Sequence, residues 1–214
     1  MKKAWVQAAI DVDDIDVGKK MADLAVRTGA EWIEVGTPLL FKYGFDAIRS
    51  LKETVRDRAK LVADYKFFYA PCMVAQAAEA GADYVIMEDN YQDDLVRMAL
   101  ELAEKNHVQI IYSLLTKKPD DYAERGMELV DMGVKYLFMW SKIPYRNRIY
   151  DTLGALRPLT DVSIGVSNDN LAKAVDAVRE GADWITFGKA LVGQDLSEYK
   201  RWIDGIHNPD TFTA

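Results

Sequence analysis

Apolar residues fall along this chain in two alternating kinds of run. Residues 21–28, 70–80, 122–132 and 171–180 are alanine- or leucine-rich and amphipathic with helical spacing. Residues 5–10, 60–63, 109–114 and 162–166 are short, apolar and nearly continuous, as expected of parallel strands buried on both faces. Each helical stretch ends in one recurring phrase: Gly29-Ala30-Glu31-Trp32, Gly81-Ala82-Asp83-Tyr84, Gly133-Val134-Lys135-Tyr136 and Gly181-Ala182-Asp183-Trp184. The glycines are 52, 52 and 48 residues apart, and a further short apolar run follows each. The pattern reads as helix, left-handed glycine cap, then strand. A strand–helix unit needs about 30 residues or fewer, so each period holds two units and four periods hold eight strands. This predicts one (β/α)8 TIM barrel spanning residues 1–214, near the lower size limit of that fold. An open doubly wound sheet is the alternative, but its glycine-rich first turn is missing: Asp11-Val12-Asp13-Asp14 follows the first strand. Only the tail, residues 208–214, reads as loose.

Composition narrows the partners. With 34 acidic and 27 basic side chains the net charge is −7, and no basic run is present, which disfavours nucleic acid and anionic membranes. No apolar run approaches the ~20 residues of a membrane span. The amino terminus lacks the apolar stretch of a signal peptide, so a cytoplasmic location is expected. The one cysteine, Cys72, excludes an internal disulfide and reads as a packing residue.

In such barrels chemistry sits at the carboxyl ends of the strands. Read in order, those ends carry Asp11, Glu34, Asp64 with Lys66, and Glu88 with Asp89. Then come Thr116-Lys117-Lys118, Ser141-Lys142 with Arg146 and Arg148, Ser167-Asn168-Asp169, and Gly188-Lys189. Converging carboxylates without cysteine or histidine suit a hard ion such as Mg2+. Lys66, two residues beyond Asp64, could neutralise an oxyanion or transfer a proton. Asp13, Asp14 and Asp169 taken singly read as helix caps. His107 precedes the fifth strand and His207 lies near the terminus, so a histidine-ligated zinc centre is not expected. The Gly188-Lys189 turn, with Ser167 and Asn168 beside it, is a candidate phosphate site.

These residues resemble the orotidine 5′-phosphate decarboxylase superfamily, in its 3-hexulose-6-phosphate synthase and 3-keto-L-gulonate-6-phosphate decarboxylase branch. Ala9-Ile10-Asp11 matches the first-strand signature and Glu34-Val35-Gly36-Thr37-Pro38 the second. Ala63-Asp64-Tyr65-Lys66 matches the start of the Asp-x-Lys-x-x-Asp motif, and Phe187-Gly188-Lys189-Ala190 stands where the branch usually has Gly-Arg. The resemblance implies a homodimer with active sites at the interface, Mg2+ on Glu34 and Asp64, and Lys66 stabilising an enediolate. Three positions depart from it: Tyr69 replaces the last motif aspartate, Trp140 stands in a segment that often holds a histidine, and Ser167-Asn168 replaces a glycine pair.

The leading expectation is therefore a Mg2+-dependent carbon–carbon lyase, aldolase or decarboxylase, acting on a small phosphorylated keto sugar, with Asp11, Asp64, Lys66 and Tyr69 as catalytic candidates. A Schiff-base aldolase using Lys66 and a non-catalytic sugar-phosphate-binding barrel are the alternatives.

Overall fold

The computed structural model describes residues 3–65, 71–89, 92–114, 122–140, 148–159 and 161–213. Eight parallel strands close into a barrel in sequence order. They are β1 (Trp5–Ile10), β2 (Trp32–Val35), β3 (Lys60–Asp64), β4 (Tyr84–Glu88), β5 (Gln109–Ser113), β6 (Tyr136–Trp140), β7 (Ser163–Ser167) and β8 (Trp184–Phe187). The first strand pairs with both β2 and β8, which completes the ring. Around it run α1 (Ile15–Thr28), α2 (Thr37–Tyr43), α3 (Phe45–Val55), α4 (Pro71–Glu79), α5 (Asp93–Lys105), α6 (Tyr122–Asp131), α7 (Arg148–Leu156), α8 (Leu171–Arg179) and α9 (Leu196–His207). Two helices, broken at Gly44, follow β2. None of the described helices is long and apolar enough to cross a membrane.

Every position of the repeated phrase has a structural task. All four glycines sit at φ of 105–106°, which a side chain disfavours, and their amides close the preceding helix. The next residue, alanine or valine, is buried and donates its amide back into the same helix. The third position stitches strands together: Glu31, Asp83 and Asp183 accept the amides of Val6, Leu61 and Ile164 on the preceding strand, each at 2.9 Å. The aromatic fourth residue points into the barrel. Trp32, Tyr84, Tyr136 and Trp184 meet there with centroid separations of 4.4–6.2 Å, and Trp5 stacks on Trp32. Four side chains from alternate strands form one layer, the filling pattern of a closed eight-stranded barrel. Gly165 makes this floor possible, because a Cβ there would overlap the Trp184 indole.

Strand alternation then orders the interior. Above the aromatic floor lie Gln7, Val62, Ile111 and Gly165, followed by Glu34, Ile86, Phe138 and Thr186. Outward-facing residues join the larger core between barrel and helices.

Three expectations need correction. Cys72 is exposed on α4 rather than packed. The tail is tied down through residue 213: Arg179 donates to the carbonyls of Pro209 and Phe212, and Phe212 packs against the core. Asp89 does not join the mouth. As the neighbour of inward-facing Glu88 it points the other way, into a buried bidentate pair with Arg125, both bonds 3.0 Å. Arg125 also reaches Asp93 and Glu128 at 2.8 Å, so this carboxylate ties β4 to α5 and α6.

Candidate active site

The carboxyl ends of β1, β2 and β3 bring three of the predicted acids to one side of the mouth. Asp11, just past β1, is half-buried between two glycines. A Cβ on Gly36 would come within 2.5 Å of Asp11 Oδ1, and one on Gly188 within 3.0 Å of Asp11 Oδ2. Those glycines admit the carboxylate between the ends of β2 and β8. Glu34 and Asp64 face inward from adjacent strands and are 5 % and 1 % exposed. Thr37, opening α2, reaches both the Asp64 carbonyl and Asp64 Oδ2 at 3.1 Å, joining the β2 and β3 ends. Below them Gln7 Nε2 donates to Glu34 Oε2.

Hydroxyl groups complete the described rim. Ser113, Ser167 and Thr186 are buried on inward-facing positions of β5, β7 and β8, while half-buried Glu88 and Trp140 close β4 and β6. Asn168 pairs its amide with the Thr186 carbonyl at 2.9 Å and caps its own turn by accepting from Asn170 N. At the proposed phosphate turn the Gly188 amide donates to Asp169 Oδ1 at 3.0 Å, so a carboxylate already engages it. Asp169 thus crosses to β8, and Asn170 caps α8. Asp14 does cap α1, accepting from Asp16 N and Val17 N, which draws its pKa down through those amide bonds despite some desolvation. Lys189 begins the short 3-10 turn Lys189–Leu191.

Several predicted residues lie outside the described ones: Lys66, Tyr69, Thr116, Lys117, Lys118, Ser141, Lys142 and Arg146. Both histidines are at the opposite end of the barrel. His107 precedes β5, and His207 Nε2 lies 3.1 Å from Glu31 at the foot of β2.

Two participants escaped the reading of strand ends. Thr37 sits inside a motif already quoted but carried no assigned task. Gln7 is the one polar residue of Trp-Val-Gln-Ala-Ala-Ile, on the same strand face as Asp11. That isolated polarity, with strand parity, is the signal that could have found it.

The donor set fits a hard divalent ion. Both inward acids offer oxygen alone, and they stand buried on adjacent strands. No cluster of three or more His, Cys, Asp or Glu side chains suited to a metal occurs among the described residues. A pair of carboxylates is what Mg2+ accepts from a protein, since that ion keeps several water or substrate oxygens.

Beside this site lies an apolar hollow of about 180 Å3, lined by Thr37, Leu40, Phe41, Phe45, Asp64 and Met73 among others. Tyr65 also borders it. Burial raises the Tyr65 phenol well above its usual pKa, so it stays neutral.

A closed parallel barrel that concentrates buried acids and hydroxyls at its carboxyl-end mouth, over an apolar floor, is the architecture of a barrel enzyme. The chain belongs to the orotidine 5′-phosphate decarboxylase / HUMPS family, whose model matches residues 5–198. It is 25 % identical over 199 residues to 3-hexulose-6-phosphate synthase of Staphylococcus aureus strain USA300, covering 89 % of this chain and 91 % of that one. Among solved structures, 3-hexulose-6-phosphate synthase from Salmonella typhimurium superposes with a TM-score of 0.81 at 22 % identity, covering 96 % of this chain and 98 % of that one. The 3-keto-L-gulonate-6-phosphate decarboxylase of Vibrio cholerae gives 0.75 at 20 % identity, covering 96 % and 99 %. The two structures agree with the barrel fold, and family and relatives together make this chain a carbon–carbon lyase.

Proposed function

We propose that the chain is a Mg2+-dependent lyase, aldolase or decarboxylase, acting on a phosphorylated keto sugar through an enediolate, as the name 3-hexulose-6-phosphate synthase suggests for its relatives. The observation that carries this reading is the buried pair Glu34 and Asp64 on adjacent strands of the mouth. A divalent ion held by these two acids would supply Lewis-acid stabilisation of negative charge on substrate oxygens. Thr37 orients Asp64, and Asp11 stands where it can accept a hydrogen bond from a substrate hydroxyl. Lys66, two residues after Asp64, is assigned the ammonium that stabilises the enediolate or delivers a proton. Tyr69 places a phenol where the family has a carboxylate and so is assigned to leave more room for ligand negative charge. Ser167, Asn168, Gly188 and Lys189 are assigned to the phosphate end, where the ligand must compete with Asp169 for the Gly188 amide.

The same reading makes the protein a homodimer whose mouths lie at the interface. Phe41, 70 % exposed on the rim of the apolar hollow beside Asp64, supports it, since aromatic side chains anchor such contacts.

The test is a panel of keto-sugar phosphates assayed for released formaldehyde or carbon dioxide, with Mg2+ and with chelator. One-carbon release that requires both a phosphorylated substrate and the metal is expected. Turnover unaffected by chelator, together with borohydride trapping of substrate on Lys66, would instead establish the Schiff-base route.

A further inference from the structure

We infer that Gln7 is a positioning residue that holds the Glu34 carboxylate in the orientation a divalent cation requires. The inference rests on Glu34 being a cation ligand and adds a residue below it that neither the motifs nor the strand ends single out.

Four observations carry it. Gln7 is 0 % exposed, on the inward face of β1, directly beneath the mouth. Its Nε2 donates to Glu34 Oε2, the one side-chain hydrogen bond of this amide among the described residues. Its Oε1 is buried without a hydrogen-bond partner among the described residues. Thr186, its register partner on β8, also buries a hydroxyl that lacks such a partner. A buried amide with an unsatisfied oxygen costs stability, and a methionine of similar shape would fill the same space without that cost. Packing therefore does not account for a glutamine here, whereas control of Glu34 does.

The chemistry of the donor points the same way. An arginine or lysine under Glu34 would neutralise the carboxylate and compete with a cation. A neutral amide fixes one oxygen and leaves the negative charge in place. Hydrogen bonds of this kind to ligating carboxylates commonly change metal affinity 10–100-fold when removed. Gln7 touches neither substrate nor metal in this arrangement and acts only through Glu34.

The test measures Mn2+ binding to the full-length protein by the loss of free-ion EPR signal, in parallel with thermal unfolding in metal-free buffer. Gln7→Met is expected to weaken Mn2+ about tenfold or more, with its unfolding midpoint equal to or above that of the native chain. Gln7→Asn keeps a buried amide but is one methylene too short to reach Glu34, and the same loss is expected of it. Glu34→Gln serves as reference. If either folded Gln7 variant binds Mn2+ as tightly as the native chain while Glu34→Gln does not, Gln7 is a packing residue and the inference is overturned. If Glu34→Gln also binds normally, the ligand assignment itself falls, and the role of Gln7 falls with it.

Discussion

Glu34 and Asp64 are carboxylates buried on adjacent strands of the mouth, where charge must be held by its surroundings. Their neighbours are arranged accordingly: Gln7 below, Thr37 alongside, and Asp11 admitted between Gly36 and Gly188. Lys66 enters by sequence alone, two residues beyond Asp64. Removing a charge-stabilising group from a closed site costs on the order of 3 kcal/mol of barrier, so Lys66→Ala should lower kcat about 100-fold. An unimpaired variant would remove the role. Gly165 permits a sharper structural prediction. Gly165→Ala would drive a methyl into the Trp184 indole and should destabilise the fold by about 1–3 kcal/mol in urea unfolding. Unchanged stability would mean the indole lies elsewhere. The acids of the site were legible as residues because they end apolar strands. Which way each points was not, until alternation was applied: Glu88 and Asp89 are adjacent, yet one faces the mouth and the other Arg125.

The four-residue phrase made most elements readable. Glycine stops a helix, a small residue fits beneath it, an acid bonds the preceding strand, and an aromatic fills the floor. The first strand was predicted at its observed bounds and β3, β5 and β7 within one residue at each end, because a continuous apolar run ends where the barrel does, while β2, β4, β6 and β8 were expected only as the runs that follow the glycine phrases. The tying of the tail was not visible, since it depends on long-range bonds from Arg179, and the division after β2 into α2 and α3 was missed although Gly44, at a φ of 58°, breaks the helix locally. The third position also links α9 to the sheet. Burial alone would raise the pKa of Glu31, but hydrogen bonds from His207, the Val6 amide and Lys3 outweigh it and hold the carboxyl at about 2 against its ordinary 4.5. The depressed value means that this group stabilises the fold fully above pH 4.5 and loses its contribution as pH falls from there through about 2. The contribution is on the order of 2 kcal/mol, since the carboxylate is partly exposed. Glu31→Gln should therefore lower stability at pH 7 and flatten the acid limb of the native curve between those limits. Parallel acid limbs for both proteins would contradict the linkage.

Seen whole, the molecule has one structural end and one chemical end. The floor, with its aromatic layer and acid stitches, closes the barrel; the mouth collects the polar groups, and both histidines lie away from it. The exposed Phe41 and the hollow beside Asp64 place an apolar surface next to the chemistry. Phe41→Glu is expected to turn a dimer into a monomer in sedimentation velocity and to reduce turnover with it. A native chain that sediments as a monomer at assay concentrations would end the shared-site reading. The family and its relatives define a carbon–carbon lyase, and the proposed reaction depends on a divalent ion at the buried acid pair. The most direct test is calorimetric titration of Mg2+ into the native chain and into the Glu34→Gln, Asp64→Asn double variant. One site per native chain, lost in the variant while the fold survives, is the predicted result; equal Mg2+ binding by both proteins would contradict it.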